Sequence, residues 1–352
     1  MSVVIKVQTM NGQYIERIEI EGLWNGHKHI CWDLQPGVNI LSGVNGVGKS
    51  TILNRVIMHL LDIDRNTRKQ DGVHLTIFPS EAKSVDFEVI RSFDRPMLSN
   101  ELMNKLTDNQ MQTELDLHIY YLGRKWLDYQ VNLSNRMVEL FASNDPEAAA
   151  KVQALAHEKT HFQDLIDDLF HETGKTIKRD QNELYFDSYG ETISAYKLSS
   201  GEKQMLIILL TVLVQNKKPF VLFMDEPEVS LHVEWQQRLI DLTMDLNPNV
   251  QVILTTHSPA VIMNGWSDRV TDVEAYLPVA KGFAADAVKN DEGCISMEVL
   301  VDPNTKGRVL YLSHFESEEA FRKHAQGATF QKWLPELGKY FISAEDHMFE
   351  IR

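Results

Sequence analysis

Cysteine is scarce: Cys31 and Cys294 are the only two in 352 residues, far apart and outside any CxxC spacing. That excludes a disulfide framework and a cysteine-built zinc site, and suits two reduced thiols. Long apolar runs are missing too. The longest, "MLIILLTVLV" at 205–214, is roughly half of what a membrane-crossing helix requires. The N-terminus "MSVVIKVQTMNGQYIERIEIEG" lacks a basic stretch followed by an apolar core, so no signal peptide is expected. Positive charge is in deficit. Lys and Arg number 35 against 50 Asp and Glu, a net charge of -15, which argues against binding nucleic acid by bulk electrostatics. Heptad tracts, internal repeats and low-complexity segments are likewise absent. What remains is a soluble cytoplasmic protein of ordinary globular composition, 43% hydrophobic and 24% charged, long enough for one large domain and a small one.

Along the chain, residues 1–42 alternate as strands, with turn signals at Asn11-Gly12, Asn25-Gly26 and Pro36-Gly37. "STILNRVIMHLLD" then places Ile52, Leu53, Val56, Ile57, Leu60 and Leu61 at helical spacing. "LTIF" and "DFEVIRSF" read as a β-hairpin, residues 99–170 as mostly helical, and "ELYFDSYGETISAYKLSSGE" as strand and then loop. From about residue 276 the character changes to a helix, a turn at "DEGC", the strands "ISMEVLVD" and "RVLYLSHF" and the helix "SEEAFRKHAQ". The fold class expected is α/β: a nucleotide-binding domain over 1–275 with a helical insert at about 99–180, then a small α+β unit over 276–352.

Four segments carry chemistry. "GVNGVGKST", Gly43 to Thr51, fits GxxxxGK[ST] between an apolar strand and an amphipathic helix. Gly43, Asn45, Gly46 and Gly48 would let backbone amides close around phosphates at a helix N-terminus. Lys49 would reach the β- and γ-phosphates of ATP, Ser50 would ligate Mg2+, and Thr51 would contact the α-phosphate. "VLFMDEPE" ends a buried-type strand in Asp225, expected to hold Mg2+ through water, and Glu226, expected to orient and deprotonate the attacking water. An acid pair alone has a good structural explanation; with the phosphate loop it does not. In "KLSSGEKQMLIILLTVL", Ser199 and Glu202 form an S-x-x-E capping box, an ordinary way to open a helix and also a way to receive a γ-phosphate. "QVILTTHSPA" ends in His257, placed to sense the γ-phosphate, although a lone histidine is more often structural.

In this order the four segments resemble the ATP-binding-cassette ATPases over roughly residues 1–275. The resemblance implies a head-to-head homodimer, or a higher even oligomer, in which Lys49 and Glu226 of one subunit face Ser199, Ser200 and Gly201 of the other across two ATPs. For the family's glutamine loop, Gln130 and Gln110 are both candidates, with Gln130 preferred. "EPEVSLHVEWQQ", "LSSGEKQ" and "TTHSPAVIMNGWSDRV" look like the overcoming-lysogenization-defect, recombination and SMC-like group rather than the "EPTSALD" and "LSGGQ" transporter forms. Glu228 and His232 carry no catalytic role in that reading, and His232 is expected near the dimer seam. "TELDLHIYYLGRKWLDYQVNLSNR" and "MNGWSDRV" look most like stand-alone ATPases of antiphage systems such as Septu and related retrons. That implies a partner effector nuclease, with nucleic acid met through the partner and no membrane. A recombination or repair ATPase acting directly on DNA is the alternative, and a transporter subunit a remoter one.

The last 75 or so residues resemble the antibiotic-biosynthesis-monooxygenase-like group, ferredoxin-like domains that commonly dimerise through their sheets. Gly293, Cys294, Asp302, Pro303, Phe315, Glu316, Ala320, Phe321, His324, Phe330 and Trp333 carry the likeness. The group's first strand would fall on "SDRVTDV", which the ATPase also needs for its last strand, so the unit is expected to be incomplete or to share a strand. It reads as an assembly module, with His324 packing at an interface; an enzymatic unit with His324 as a catalytic remnant is the minority alternative.

Overall fold

The computed structural model describes residues 11–23, 28–43, 46–64, 71–91, 111–272, 276–301 and 309–337. Its principal strands are β1 Tyr14–Gly22, β2 Lys28–Asp33, β3 Val38–Ser42, β4 Val73–Phe78, β5 Phe87–Arg91, β6 Lys175–Ile177, β7 Tyr185–Ser188, β8 Glu191–Ser194, β9 Phe220–Asp225, β10 Val250–Thr256, β11 Cys294–Val301 and β12 Val309–Phe315. The helices are α1 Lys49–Asp64, α2 Glu114–Ala142, α3 Ala148–Phe170, α4 Ser200–Leu213, α5 Val233–Leu246, α6 Tyr276–Asn290, α7 Glu318–Gln326 and α8 Ala328–Leu337. They form two compact units, one drawn from residues 1–16, 34–41 and 77–270 and the other from 17–33, 42–76 and 271–352.

In the first unit the apolar runs of β9 and β10 make the centre of a sheet ordered β3-β10-β9-β5. Val221 to Met224 are fully buried, as expected of a strand covered on both faces. β9 runs parallel to both β10 and β5, and the register sets Asp225 opposite Thr255 on one side and Arg91 on the other. The expected hairpin of "LTIF" with "DFEVIRSF" is therefore corrected. Phe87–Arg91 pairs in parallel with β9, Val221 N–H donating to the Asp86 carbonyl at 2.9 Å, whereas Val73–Phe78 belongs to a different sheet. An apolar central strand offered a better-buried partner than the neighbour in sequence. A further short strand, Val270–Asp272, stands at the sheet edge next to β3.

α4 is apolar all round and buried from Glu202 to Leu213, which suits a helix inside the core rather than on its surface. α2 and α3 form the helical lobe, where Trp126 packs on Tyr129 and Phe162 with ring centroids 5.7 Å apart in both pairs. Thr113 and Asp116 cap α2 reciprocally, and Asp116 also accepts from the Lys203 ammonium of α4 at 2.7 Å, a buried ion pair tying lobe to core. β6, β7 and β8 form an antiparallel meander leading into α4.

In the second unit β1 lies between β2 and β4, with Arg17 opposite Asp33 and Ile20 opposite Ile30. β11 and β12 pair antiparallel, and α6, α7 and α8 complete the C-terminal part. Among the described residues no helix is long and apolar enough to cross a membrane.

Candidate functional site

The parallel register of β9 and β10 brings their last residues together in the first unit. Thr255 is buried, and its hydroxyl donates to Asp225 Oδ1 at 2.6 Å. The next residue, Glu226, has φ of 49°, a left-handed conformation that a residue with a long side chain adopts at a cost of about 1–3 kcal/mol. It is held there by its N–H, which donates to the carbonyl and the hydroxyl of Thr255 at 3.0 and 3.1 Å. The turn sends the Glu226 carboxylate to His257, whose Nδ1 lies 2.5 Å from Oε2. The His257 side chain is 48% exposed and that of Glu226 11%. An exposed imidazole thus orients a nearly buried carboxylate, the geometry required of a general base with a fixed direction.

The stretch after the acids builds the frame. The Leu231 N–H donates to the Glu228 carbonyl at 2.9 Å and Leu231 is buried. Gln236, from the first turns of α5, donates to the Leu231 carbonyl at 2.9 Å and accepts from the Ser258 hydroxyl at 2.7 Å. It therefore clamps the loop after β9 to the loop after β10. Thr256 donates its hydroxyl to the buried Glu228 carboxylate. One ligand-type atom from each of Glu226, Glu228 and His257 lies within 4.8 Å of the other two; His257 Nδ1 is bonded to Glu226, and Glu228 Oε1 accepts from Thr256. His232 is exposed, and its side chain makes no capping bond to α5.

Ser199, Ser200 and Gly201 occupy the start of α4. Ser199 accepts from the Glu202 N–H, and Glu202 reaches back to the Ser199 N–H at 2.8 Å. Burial pushes the Glu202 carboxyl up, but bonds from Thr173, Lys175 and Ser199 outweigh it and hold the group below the usual carboxylate range. A side chain at Gly201 would place Cβ 2.5 Å from the Ser230 carbonyl, so glycine lets the helix start press against the loop after Glu226. Ser199 and Ser200 are exposed.

The phosphate-loop residues lie in the other unit. Gly46 and Gly48 have φ of 82° and 103°, conformations that glycine alone adopts freely. Lys49 is 4% exposed, and its ammonium donates to the Gly43 carbonyl at 2.8 Å, folded across the loop. Ser50 and Thr51 follow in the first turn of α1, Ser50 half-buried and Thr51 exposed. Left-handed glycines before a helix start, with a buried ammonium, fit a polyphosphate. The Ser50 hydroxyl is a hard oxygen donor of the kind that magnesium takes.

Gln130 is placed in the middle of α2, where its amide donates to the Asn182 carbonyl at 2.8 Å and accepts from Lys159 at 2.7 Å. It is a packing residue of the helical lobe, not a loop residue. Asn45, Gln110, Asp302 and Pro303 lie outside the described residues. Sequence reasoning missed Thr255, Thr256, Gln236 and Ser258; the signal available was a pair of threonines ending an apolar strand directly before the histidine.

In the C-terminal part His324 is 6% exposed, and its Nδ1 lies 2.5 Å from Asp291 Oδ2. It sits among Phe283, Phe315, Phe321 and Phe330, with ring centroids 5.2 to 6.5 Å away. Trp333 donates to Asp286 at 2.7 Å, and a Cβ at Gly293 would lie 2.6 Å from that of Ala320. The positions picked out in the sequence thus build one aromatic core, and the expectation that His324 packs at an interface gives way to packing inside its own unit.

Left-handed glycines with a buried lysine at a helix start are the arrangement of a P-loop nucleotide-binding domain, and the chain spans only 18%, 24% and 43% of the length of three curated relatives that it matches. Residues 38–264 match the family described as "AAA domain, putative AbiEii toxin, Type IV TA system", and the chain belongs to that family. Residues 271–336 match the antibiotic biosynthesis monooxygenase family, a ferredoxin-like α+β domain. The "Retron Vc95 probable ATPase" of Vibrio cholerae serotype O1 biovar El Tor is 30% identical over 92 residues, 23% of this chain and 18% of that protein. The "Septu protein PtuA" of Bacillus thuringiensis is 23% identical over 297 residues, covering 70% of this chain and 72% of that one. Among solved structures, an Smc head bound to the C-terminal winged-helix domain of ScpA aligns over 85% of this chain and 98% of that one, with 14% identity and a TM-score of 0.43.

Proposed function

We propose that the chain is a Mg2+-dependent ATPase subunit that closes head-to-head on a second copy around ATP and opens on hydrolysis, so controlling a partner effector nuclease in antiphage defence. The observation that carries the hydrolytic part is the left-handed Glu226, whose carboxylate His257 fixes at 2.5 Å at the open end of the sheet. Glu226 takes a proton from the water that attacks the γ-phosphorus, and His257 keeps the carboxylate aimed and contacts the γ-phosphate. Lys49 holds the β- and γ-phosphates, Thr51 the α-phosphate, and Ser50 and Asp225 hold the metal. Magnesium, when bound, neutralises charge on the phosphate oxygens.

The exposed Ser199 and Ser200, at a helix start pressed against the loop after Glu226, support a role in receiving the second copy's nucleotide. Residues 1–275 form the ATPase domain in this reading, and 276–352 serve assembly. The acidic chain meets nucleic acid only through its partner, in the cytoplasm. The retron and Septu relatives support the defence setting. The test is a pull-down of tagged Glu226→Gln from its native host in ATP, read by mass spectrometry and native mass. An even multimer carrying a nuclease is the expected result. Recovery of DNA alone, or of a membrane permease, would overturn the defence role.

A further inference from the structure

Glu228 stands two residues past the general base, and the mechanism above leaves it unused. Its side chain is 4% exposed. Oε1 accepts two bonds, one from the Thr256 hydroxyl and one from the His257 backbone N–H at 3.3 Å. Oε2 is buried, and among the described residues nothing donates a hydrogen bond to it. An ionised carboxylate would leave negative charge on an oxygen to which nothing donates, in a site without water's dielectric. A carboxylic acid matches the asymmetry: its carbonyl oxygen has two lone pairs for the two donors, and its hydroxyl can donate to the Glu226 carboxylate, the side-chain partner that raises Glu228.

The neighbouring charges agree. The titratable groups facing Glu228 are Glu226, which repels a second negative charge and shares a side-chain hydrogen bond that favours the protonated form, and His257. His257 Nδ1 is 3.8 Å from Glu228 Oε1 but 2.5 Å from Glu226 Oε2, so its bond goes to Glu226. Burial pushes the Glu228 carboxyl up, bonds from Thr256 and a backbone N–H pull it down, and Glu226 pushes it up again; the net shift is upward.

We propose that Glu228 is a positioning residue for ATP hydrolysis that works as a neutral carboxylic acid, pinning Thr256 and the backbone of His257 so that the imidazole stays on Glu226. The proposal rests on the roles given above to Glu226 and His257, and it assigns Glu228 no contact with the nucleotide. Its proton stays on Oε2 throughout turnover.

The test compares pH profiles of kcat and KM for the wild-type chain, Glu228→Ala, Glu228→Gln and Glu226→Gln, with melting temperatures alongside. Glu228→Ala frees the end of β10 and should lower kcat about tenfold or more with little change in KM. Glu228→Gln keeps the carbonyl acceptor and replaces the hydroxyl by an amide, so it should recover most of that loss. Wild-type turnover should fall on the alkaline side as Glu228 ionises, and Glu228→Gln should lack that fall. A role confined to folding would not move the alkaline limb. The proposal is overturned if Glu228→Gln melts like wild type yet is as slow as Glu228→Ala, since the anion is then needed, as it would be for holding a cation. It is overturned equally if the alkaline fall persists in Glu228→Gln. The infrared carboxylic-acid carbonyl band at neutral pH, present in wild type and missing in Glu228→Gln, decides the protonation state even without turnover by the isolated chain; its absence in wild type overturns the proposal. Wild-type turnover by Glu226→Gln instead overturns the hydrolytic reading, leaving the infrared result to judge Glu228.

Discussion

Two histidine–carboxylate pairs in this chain have the same bond length and opposite surroundings. His257 Nδ1 meets Glu226, and His324 Nδ1 meets Asp291, both at 2.5 Å. His324 is closed in by phenylalanine rings, and the second oxygen of Asp291 is taken by the Thr329 hydroxyl at 2.6 Å. Every polar atom named there has a partner inside the unit, and the backbone of the pair is unstrained. Around His257 the ring is half open to solvent and the carboxylate is carried by a left-handed residue. A His–carboxylate bond is therefore no evidence of catalysis by itself. Access from solvent and stored backbone strain are what set the Glu226–His257 pair apart from the buried one and support the role proposed for it.

The largest effect expected is on turnover. Glu226→Gln removes the base but keeps the shape, and kcat should fall by about 10²- to 10⁴-fold, with a melting temperature at or above that of wild type. His324→Ala should do the reverse, costing about 2–4 kcal/mol in denaturant titration, because it opens a cavity and leaves Asp291 Oδ2 without its partner, while kcat per folded molecule is unchanged. Loss of turnover in the second variant, or loss of stability in the first, would break the contrast. Gly201→Ala tests whether the helix start and the loop after Glu226 are truly in contact: Cβ would meet the Ser230 carbonyl at 2.5 Å. A cost of about 1–3 kcal/mol by thermal melting is expected. The smallest effect is a pH dependence. The lowered pKa of Glu202 means that its stabilising contribution is present above the ordinary glutamate range and is lost as pH falls through the folded-state value. Glu202→Gln should therefore flatten the acid-side loss of stability, followed by melting temperature between neutral and acidic pH.

Much of the site was legible because its chemistry is tied to local spacing. The glycine loop, Asp225 with Glu226, the Ser199 capping box and the strand-terminal His257 each lie within a few residues, and one strand-to-loop transition fixes each. The supporting groups were not legible because their roles depend on register. Thr255 matters only because β10 sets it opposite Asp225, and Gln236 only because α5 brings it between two loops. β5 was misread for the same reason: its partner, β9, lies more than a hundred residues further along. Gln130 was attractive by position in the chain, yet a mid-helix location with both ends of its amide engaged gives it to the lobe. In the C-terminal part His324 and the phenylalanines that stood out, Phe315, Phe321 and Phe330, do pack together.

The most direct test is ATP turnover per molecule, followed from dilute to concentrated protein, for wild type and Glu226→Gln side by side. Head-to-head closure of two copies makes specific activity rise with concentration in wild type, while the variant stays near background throughout. Hydrolysis by Glu226→Gln at the wild-type rate would contradict the role given to Glu226.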